Sequence, residues 1–536
     1  MYGLTFFAKM MGMILKSVLM KTPSVLLLLG FLYLLAYALQ SHEIGWYNTI
    51  AEAHGFRQTQ TAISAFYMIA GGPWLLYETP VLGLPWSIPF EFPLFQWLAA
   101  LLTLASPLEL DQSGRALSLL FFYLTFWPMR VILRDFGVGR VASLLFMIPF
   151  IVAPIHLFWA RTFMIETASV FWSAAYLALV SRACRTKNTR YFFWGGIIGV
   201  LAALQKITTF FPFCLLAGCY VAYTFLVKAR PVFSRSNISY LAYGAVLLAV
   251  IPLACVGAWS KVADLYRIDN PIAATFISME HLNSWNFGTV HQKLSLVTWE
   301  RFYNVHVKNL LGEKSFFWFI VAGLMIAHRY AIFGLLCLLA YGATLATFTN
   351  LFYVHDYYGV EIGIFLVFAL GFNLLALWEK PGVIPKWATF IFLGTLSYFA
   401  LEDYKSGYLK LQQNYDSPGL RHIGEIVKAH TKPDDVIMIW GADWDSSIAY
   451  YTERRALMDR KGRTIDDPVM VEARRQLKDA GYEVGALIFC WYAKKPEFIK
   501  ERTLPLGVSD EPDFEANNCK IHLAREQPVG ETAKAL

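Results

Sequence analysis

Long apolar runs separated by short polar segments fill the chain as far as residue 401. A run of about 20 apolar residues matches the hydrocarbon core of a bilayer, although several runs here are shorter. The stretch 191–227 would measure roughly 55 Å as one helix, too long for a core of about 30 Å. Its polar interruption at 205–209 predicts a hairpin. The pattern predicts about eleven spans, at 23–39, 116–133, 140–157, 167–183, 191–205, 208–227, 239–259, 315–327, 330–349, 359–378 and 386–401.

The pattern changes after residue 401. Val436–Trp440 and Gly485–Cys490 are short apolar runs typical of buried strands, and helical spacing extends over Leu420–His430 and Thr464–Ala480. Strands that alternate with helices predict an α/β layer. The fold class is therefore mainly α, a polytopic helical membrane protein with a C-terminal α/β domain outside the cytoplasm. The predicted domains are residues 1–401, with external loops 41–114 and 260–314, and residues 402–536.

Composition supports the membrane assignment. Of the 536 residues, 57% are apolar and 16% charged, against about 45–50% and 25% in soluble domains. These values exclude a soluble enzyme, a disordered chain and a disulfide scaffold. Cys490 and Cys519 lie in the predicted external domain, where they either pair or remain as buried thiols.

The positions of the basic residues predict the orientation of the chain. The net charge is +7, but sixteen Lys and Arg lie on segments predicted to be cytoplasmic, and only Arg57, Arg115, Arg161 and Lys206 on the first three external ones. Because basic residues are retained in the cytoplasm, we expect a cytoplasmic N-terminus and an external C-terminal domain. The charge marks a membrane face, so no nucleic-acid partner is expected.

Charged residues concentrate at the predicted outer ends of the helices rather than within the spans. They are Arg57, Glu78, Glu91, Arg161, Glu166, Lys206, His355 and Asp356. A polar site at the outer surface suits chemistry between a lipid-borne group and a water-side acceptor, whereas transporters carry charges near the midplane. The His and Cys residues form no zinc motif, so we expect no metal and no separate cofactor.

Several short motifs occur in a characteristic order. They are Phe56–Ala62, Tyr77–Pro80, Pro93–Leu98, Arg161–Glu166, Lys206–Thr208 and His355–Tyr358. The first is similar to the "WRQADTA" phrase of one bacterial branch of the GT-C glycosyltransferases. Over most of residues 23–401 the sequence resembles that superfamily, and in particular the relatives of protein O-mannosyltransferases and of the lipid A aminoarabinose transferase.

The resemblance implies an enzyme of the bacterial inner membrane. Such an enzyme transfers a sugar with inversion from a polyprenyl-phosphate-linked donor, without a nucleotide sugar, to a glycan, lipid or protein acceptor. One position departs from the family, which usually has an Asp as catalytic base where this chain has Gln60. No Asp occurs between His42 and Leu110, so the base is a glutamate or the chain is not a working transferase.

The candidate base is Glu91, which lies between Phe90 and Phe92, with Glu78 as the second choice. Either carboxylate has the alternative role of a cap or turn residue. The candidate donor-phosphate ligands are Arg57, Arg161, Lys206 and His355, because Arg and Lys are the usual phosphate-binding side chains. The candidate substrate-binding residues are His54, Gln58, Gln60, Glu166, Asp356, Tyr357 and Tyr358.

Alternatives remain at several of these positions. Lys206 can instead extend from a helix end toward water, Arg161 and Glu166 can pair with each other, and the turn at His355 can be an aromatic belt. At the level of function, a flippase or transporter of lipid-linked glycans, or a glycan polymerase or ligase, competes with the transferase. The transferase hypothesis predicts that Glu91 and Lys206 lie within about 15 Å of each other, because one sugar phosphate must reach both through hydrogen bonds of about 3 Å.

Overall fold

Helices account for most of the structure. The computed structural model describes residues 2–225, 235–312, 316–326, 328–414 and 418–524. The ends of the predicted runs 208–227 and 315–327, and the basic residues Lys228 and Arg230, lie outside that range. The helices of the first half are Tyr2–Glu43, Gly55–Ile69, Leu94–Ala105, Leu110–Leu124, Phe126–Asp135, Leu144–Val152, Pro154–Trp159, Glu166–Thr186, Arg190–Gln205, Ile207–Tyr223, Arg235–Ala245 and Ile251–Asp269.

Further helices follow along the chain. They are Met279–Phe287, Val290–Leu294, Leu296–Phe302, Lys308–Leu311, Phe316–Met325, Ala331–Thr347, Thr349–Val354, Gly359–Trp378, Ile384–Ser406, Tyr408–Asn414, Pro418–His430, Ser447–Thr452, Pro468–Asp479 and Pro496–Thr503. Two π-helical turns, Val246–Val250 and Tyr303–Val307, are inserted among them.

The apolar runs do form helices, but fewer of these are long enough to span a bilayer than predicted. Within the described residues, five helical segments have the length and composition to cross a membrane: Thr22–Glu43, Leu110–Asp135, Asn237–Asp269, Gly359–Trp378 and Ile384–Ser406. This supports a multi-pass membrane protein. The count of about eleven is not confirmed, because other runs form helices of 10–17 residues or break. Residues 140–157, for example, break at Ala153, since the next residue is Pro154.

The chain divides into two compact units. The first contains Met1–Trp46, Arg115–Ala258 and Asn283–Asn414. Its core is the helix Gly359–Trp378, which is buried along almost its whole length. The ring of Phe146 packs so closely on Gly371 that a Cβ there would lie 2.2 Å from the ring, so this contact requires glycine.

The second unit is built on a five-stranded sheet and contains Tyr47–Gly114, Trp259–Leu282 and Tyr415–Leu536. The strands are β1 (Val436–Trp440), β2 (Arg455–Met458), β3 (Val484–Cys490), β4 (Phe514–Ala516) and β5 (Cys519–Leu523). Their order is β2-β1-β3-β5-β4, with β1 parallel to β2 and β3, and β5 antiparallel to β3 and β4. A disulfide joins Cys490 and Cys519, which face each other across β3 and β5.

The first external segment packs on this sheet. The backbone N–H groups of Ala456 and Met458 in β2 donate to the carbonyls of Pro80 (2.8 Å) and Val81 (2.9 Å). Two helices, Gly55–Ile69 and Leu94–Ala105, flank that segment. The division into domains 1–401 and 402–536 remains a prediction. The two compact units have different boundaries, since each contains several separate stretches of the chain.

Candidate active-site clusters

The candidate base lies where two helices of the second unit begin. Helix Gly55–Ile69 places Arg57 and Gln60 on successive turns, and Glu91 precedes Pro93 and the helix Leu94–Ala105, which carries Gln96. We call Arg57, Gln60, Glu91 and Gln96 the Glu91 cluster. Arg57, Gln60 and Gln96 are helical and Glu91 lies three residues before a helix, so the backbone holds the cluster in place.

Hydrogen bonds orient the Glu91 carboxylate. Its Oε1 accepts from Arg57 Nη2 at 3.1 Å and from Gln96 Nε2 at 3.2 Å, while Arg57 Nη1 donates to Gln60 Oε1 at 2.7 Å. The Arg57 and Glu91 side chains retain exposed fractions of 15% and 13%, so the pair borders on solvent. The arrangement holds a carboxyl group beside a guanidinium that can also contact an anion.

Tyr77 supports the backbone of this cluster. Its hydroxyl donates to the carbonyl of Glu91 at 3.0 Å and accepts from the N–H of Phe90 at 2.8 Å. Burial, reinforced by the charge of Glu91, raises the pKa of Tyr77 well above its ordinary value. The phenol therefore stays neutral and acts as a fixed hydrogen-bond donor.

Glu78, the second candidate base, is tied to the sheet. Its Oε2 accepts from Arg455 Nε at 3.1 Å and from Nη2 at 2.9 Å. The Arg455 guanidinium also lies 4.7 Å from the centre of the Tyr67 ring. This pairing fits the alternative role of Glu78 as a structural residue, since it attaches the first external segment to β2.

Two other predicted substrate ligands take part in the local backbone structure. His54 precedes helix Gly55–Ile69 in the left-handed region, with φ of 44°. Gln58 is fully buried, and its Nε2 donates to the carbonyl of Ala53 at 2.8 Å. Both residues therefore shape the start of the helix that carries Arg57.

A second group of charges lies in the first unit. Lys206 is the extended residue between helices Arg190–Gln205 and Ile207–Tyr223, at the predicted interruption. Its ammonium pairs with Glu166 Oε1 at 2.7 Å and with Glu361 Oε1, and it lies 3.9 Å from the centre of the Tyr358 ring. We call Lys206, Glu166, Glu361 and Tyr358 the Lys206 cluster.

Acidic side chains outnumber the single basic one in the Lys206 cluster. Two carboxylates surround one ammonium, and the exposed side-chain fractions are 9% for Lys206, 4% for Glu166 and 0% for Glu361. Lys206 is not simply extended toward water, as the snorkelling alternative required. A phosphate that binds Lys206 has to displace or rearrange one of these carboxylates.

The other predicted phosphate ligands have defined places in the first unit. Arg161 is fully buried, and its Nη2 donates to the carbonyl of Gly45 at 2.8 Å, which also accepts from Arg115. His355 lies 5.2 Å from the centre of the Tyr357 ring, and Asp356 accepts from the N–H of Gly359 through its carbonyl. Tyr357 is buried among these groups.

Sequence reasoning overlooked Glu361, Gln96 and Arg115. Glu361 carried a usable signal, because it is a lone acid at the start of an otherwise apolar run, and ionisable residues in such runs are typically functional. Gln96 and Arg115 gave no comparable signal. The two clusters belong to different units, so their convergence on one cavity remains a prediction.

Comparisons with known proteins were made by sequence and by structure. No protein-family model and no curated protein sequence matches this chain. The crystal structure of ArnT from Cupriavidus metallidurans bound to undecaprenyl phosphate matches over 92% of this chain and 98% of that chain, with a TM-score of 0.58 and 12% identity. Its apo state matches with a TM-score of 0.57 and 13% identity over 92% and 97%.

A second enzyme has the same architecture. The oligosaccharyltransferase of Archaeoglobus fulgidus in the apo form matches over 88% of this chain and 71% of that chain, with a TM-score of 0.55 and 12% identity. Both proteins are GT-C glycosyltransferases. This chain has the GT-C fold. The resemblance inferred from the short motifs is confirmed at the level of fold, over 92% of the chain.

Proposed function

We propose that this protein is an integral-membrane glycosyltransferase that moves a sugar, with inversion, from a polyprenyl-phosphate carrier to an acceptor on the outer side of the membrane. The observation that carries the proposal is the fold match to ArnT bound to undecaprenyl phosphate, which covers nearly the whole of both chains. The Glu91 cluster adds a carboxylate held in place by hydrogen bonds, as a general base requires.

The proposed donor site is the Lys206 cluster. In it the ammonium binds the lipid phosphate, and Glu166 and Glu361 accept hydrogen bonds from sugar hydroxyls. Arg57, Arg161 and His355 are the further proposed phosphate ligands. A cation beside the phosphate favours departure of the carrier, because negative charge accumulates on the leaving oxygen in the transition state.

The proposed reaction is a single displacement. The acceptor hydroxyl oxygen forms a bond to the anomeric carbon of the donor sugar, and the bond from that carbon to the phosphate oxygen breaks. The bonding pair leaves with the polyprenyl phosphate, and the hydroxyl proton passes to the Glu91 carboxylate. Gln60 cannot take this proton, because an amide has no useful basicity, but it can orient the site through Arg57.

The test is an assay of carrier release. The full-length protein, purified in detergent, is incubated with a panel of radiolabelled polyprenyl-phosphate sugars, and free polyprenyl phosphate is measured. We expect release from at least one donor, and its loss in Glu91→Gln. Glu472→Gln is the matched control, because Glu472 pairs with Arg475 on an exposed helix. Movement of intact donors across vesicles without any release would instead support a transporter.

A further inference from the structure

The strand order of the sheet in the second unit reverses at its central parallel strand. In the order β2-β1-β3, strand β2 follows β1 in the chain and lies on one side of it, and β3 is added later on the other side. At such a reversal the loops that follow the two strands separate, and ligands of open α/β sheets bind in the crevice between them. Here these are the loops at 441–446, after β1, and 491–495, after β3.

Each of the two loops contains a residue in the left-handed region, and at Trp491 that conformation is strained. Asp443 and Trp491 have φ values of 55° and 46°, in the left-handed region, where a bulky aromatic residue is a genuine outlier. Trp491 is held there by a hydrogen bond from its N–H to the carbonyl of Asn518 at 3.3 Å and by the disulfide at the preceding residue, Cys490. Strained residues that the surroundings hold in place concentrate at functional sites.

The side chains at this edge suit a polar ligand with an apolar face. Asp443 Oδ1 lies 3.4 Å from Arg460 Nε, and both side chains are about half exposed. Trp491 and Tyr492 are each 52% exposed. Partial burial, and then the charges of Asp459 and Asp443, raise the pKa of Tyr492, so its hydroxyl remains available as a donor.

The edge adjoins the Glu91 cluster within the same unit. The Trp444 ring, next to Asp443, lies 4.7 Å from the ring of Phe56 and 5.7 Å from that of Phe90, centre to centre. These phenylalanines directly precede Arg57 and Glu91. The rings of Trp444, Phe56 and Phe90 thus connect the Asp443 side of this edge to the residues that precede Arg57 and Glu91.

We propose that this edge is the acceptor site and that the acceptor group it binds is a saccharide. The inference rests on the proposed function and specifies its acceptor. Carboxylate, guanidinium and phenol groups can hydrogen-bond to sugar hydroxyls, and exposed Trp and Tyr rings can cover the apolar face of a pyranose.

Both arginines considered at this edge are already paired with carboxylates. The guanidinium of Arg460 is paired with Asp443, and that of Arg463 with Asp459 at 2.5 Å. The positive charge of these two arginines is therefore already compensated. A neutral sugar needs only donors and acceptors, which paired side chains still provide.

Binding without donor tests the acceptor site apart from catalysis. The purified full-length protein is applied to an array of neutral oligosaccharides built from glucose, mannose, galactose and N-acetylglucosamine, with an array of peptides alongside. We expect retention on at least one class of saccharide, weakened tenfold or more by Asp443→Asn and by Arg460→Gln. Asn tolerates the left-handed conformation at 443, so this variant should retain the backbone, and thermal unfolding measures whether it does.

The matched control is another exposed Asp–Arg pair of the same unit, Asp479 and Arg475, 2.6 Å apart. Asp479→Asn and Arg475→Gln should bind as the unchanged protein does. Retention on peptides only, no retention on any saccharide, or equal retention by all four variants would overturn the saccharide site. Failure of the proposed function appears separately, as donors that are never cleaved in the carrier-release assay.

Discussion

The proposed role of Glu91 as the base depends on how its neighbours orient the carboxylate. Arg57 and Gln96 both donate to the same oxygen, Oε1, which leaves the other oxygen as the proposed proton acceptor. Replacing Glu91 by Gln keeps the shape and an acceptor for Arg57 but removes the basicity. We expect the turnover of sugar transfer to fall by roughly 10²–10⁴, the usual contribution of a general base, with donor binding retained.

Glu78→Gln is the informative counterpart. Because Glu78 pairs with Arg455, this change should lower the thermal unfolding midpoint of the protein and leave turnover within a few-fold. Near-normal turnover of Glu91→Gln beside an inactive Glu78→Gln would mean that the wrong glutamate was chosen. If both variants remain active, the base mechanism itself is wrong.

Replacing Lys206 should destabilise the protein, because two buried carboxyl groups lose their basic partner. Lys206→Met leaves the buried carboxylates of Glu166 and Glu361 facing each other without the ammonium, and breaking a buried pair in this way typically costs about 3–5 kcal/mol. We expect a lower unfolding midpoint in detergent and a partial recovery when Glu361→Gln is added. Additive effects in this double-mutant cycle would contradict the coupling seen in the structure.

At the scale of elements, the π-helical turn Tyr303–Val307 contains a buried histidine. His306 Nε2 donates to the carbonyl of Phe352 at 2.7 Å, and burial lowers the pKa of His306 from 6.5 to about 4. The folded state thus favours the neutral ring, whereas the unfolded state binds a proton below pH 6.5. The stability contributed by the neutral ring is full above that pH and is lost on acidification toward pH 4.

This linkage predicts a difference in pH dependence. Between pH 6.5 and 4, the unfolding free energy should fall more steeply for the unchanged protein than for His306→Gln, by up to about 1.4 kcal/mol per pH unit. Gln keeps a donor for the Phe352 carbonyl but does not titrate. Measuring the unfolding midpoint of both proteins over this range provides the test, and parallel curves would exclude the linkage.

At the scale of the whole molecule, the orientation in the membrane decides which side the chemistry faces. The asymmetry of basic residues predicts a cytoplasmic N-terminus and an external segment after residue 401. A reporter that fluoresces only in the cytoplasm, fused after Tyr404, should stay dark, while a periplasm-active phosphatase fused there should be active. Fluorescence at that position would place the sheet-bearing unit, with Glu91 and the proposed acceptor site, in the cytoplasm.

Features that depend on neighbours along the chain could be predicted from the sequence. Hydropathy predicted helices through the first part of the chain and the break at Lys206, and apolar runs predicted the strands Val436–Trp440 and Gly485–Cys490, of which the second begins one residue earlier. Such patterns are local, because the period of a helix or of a strand is visible within a few consecutive residues. The GT-C fold was also accessible, through the order of short motifs.

Contacts between residues that are distant along the chain became apparent in the folded structure alone. Lys206 pairs with Glu361, Arg57 with Glu91, and Cys490 with Cys519. The attachment of the first external segment to β2 was likewise invisible in the sequence. Hydropathy indicates whether a side chain is buried, but it does not indicate which residue pairs with a buried charge. The partner depends on how the packed elements bring together positions that lie tens to hundreds of residues apart.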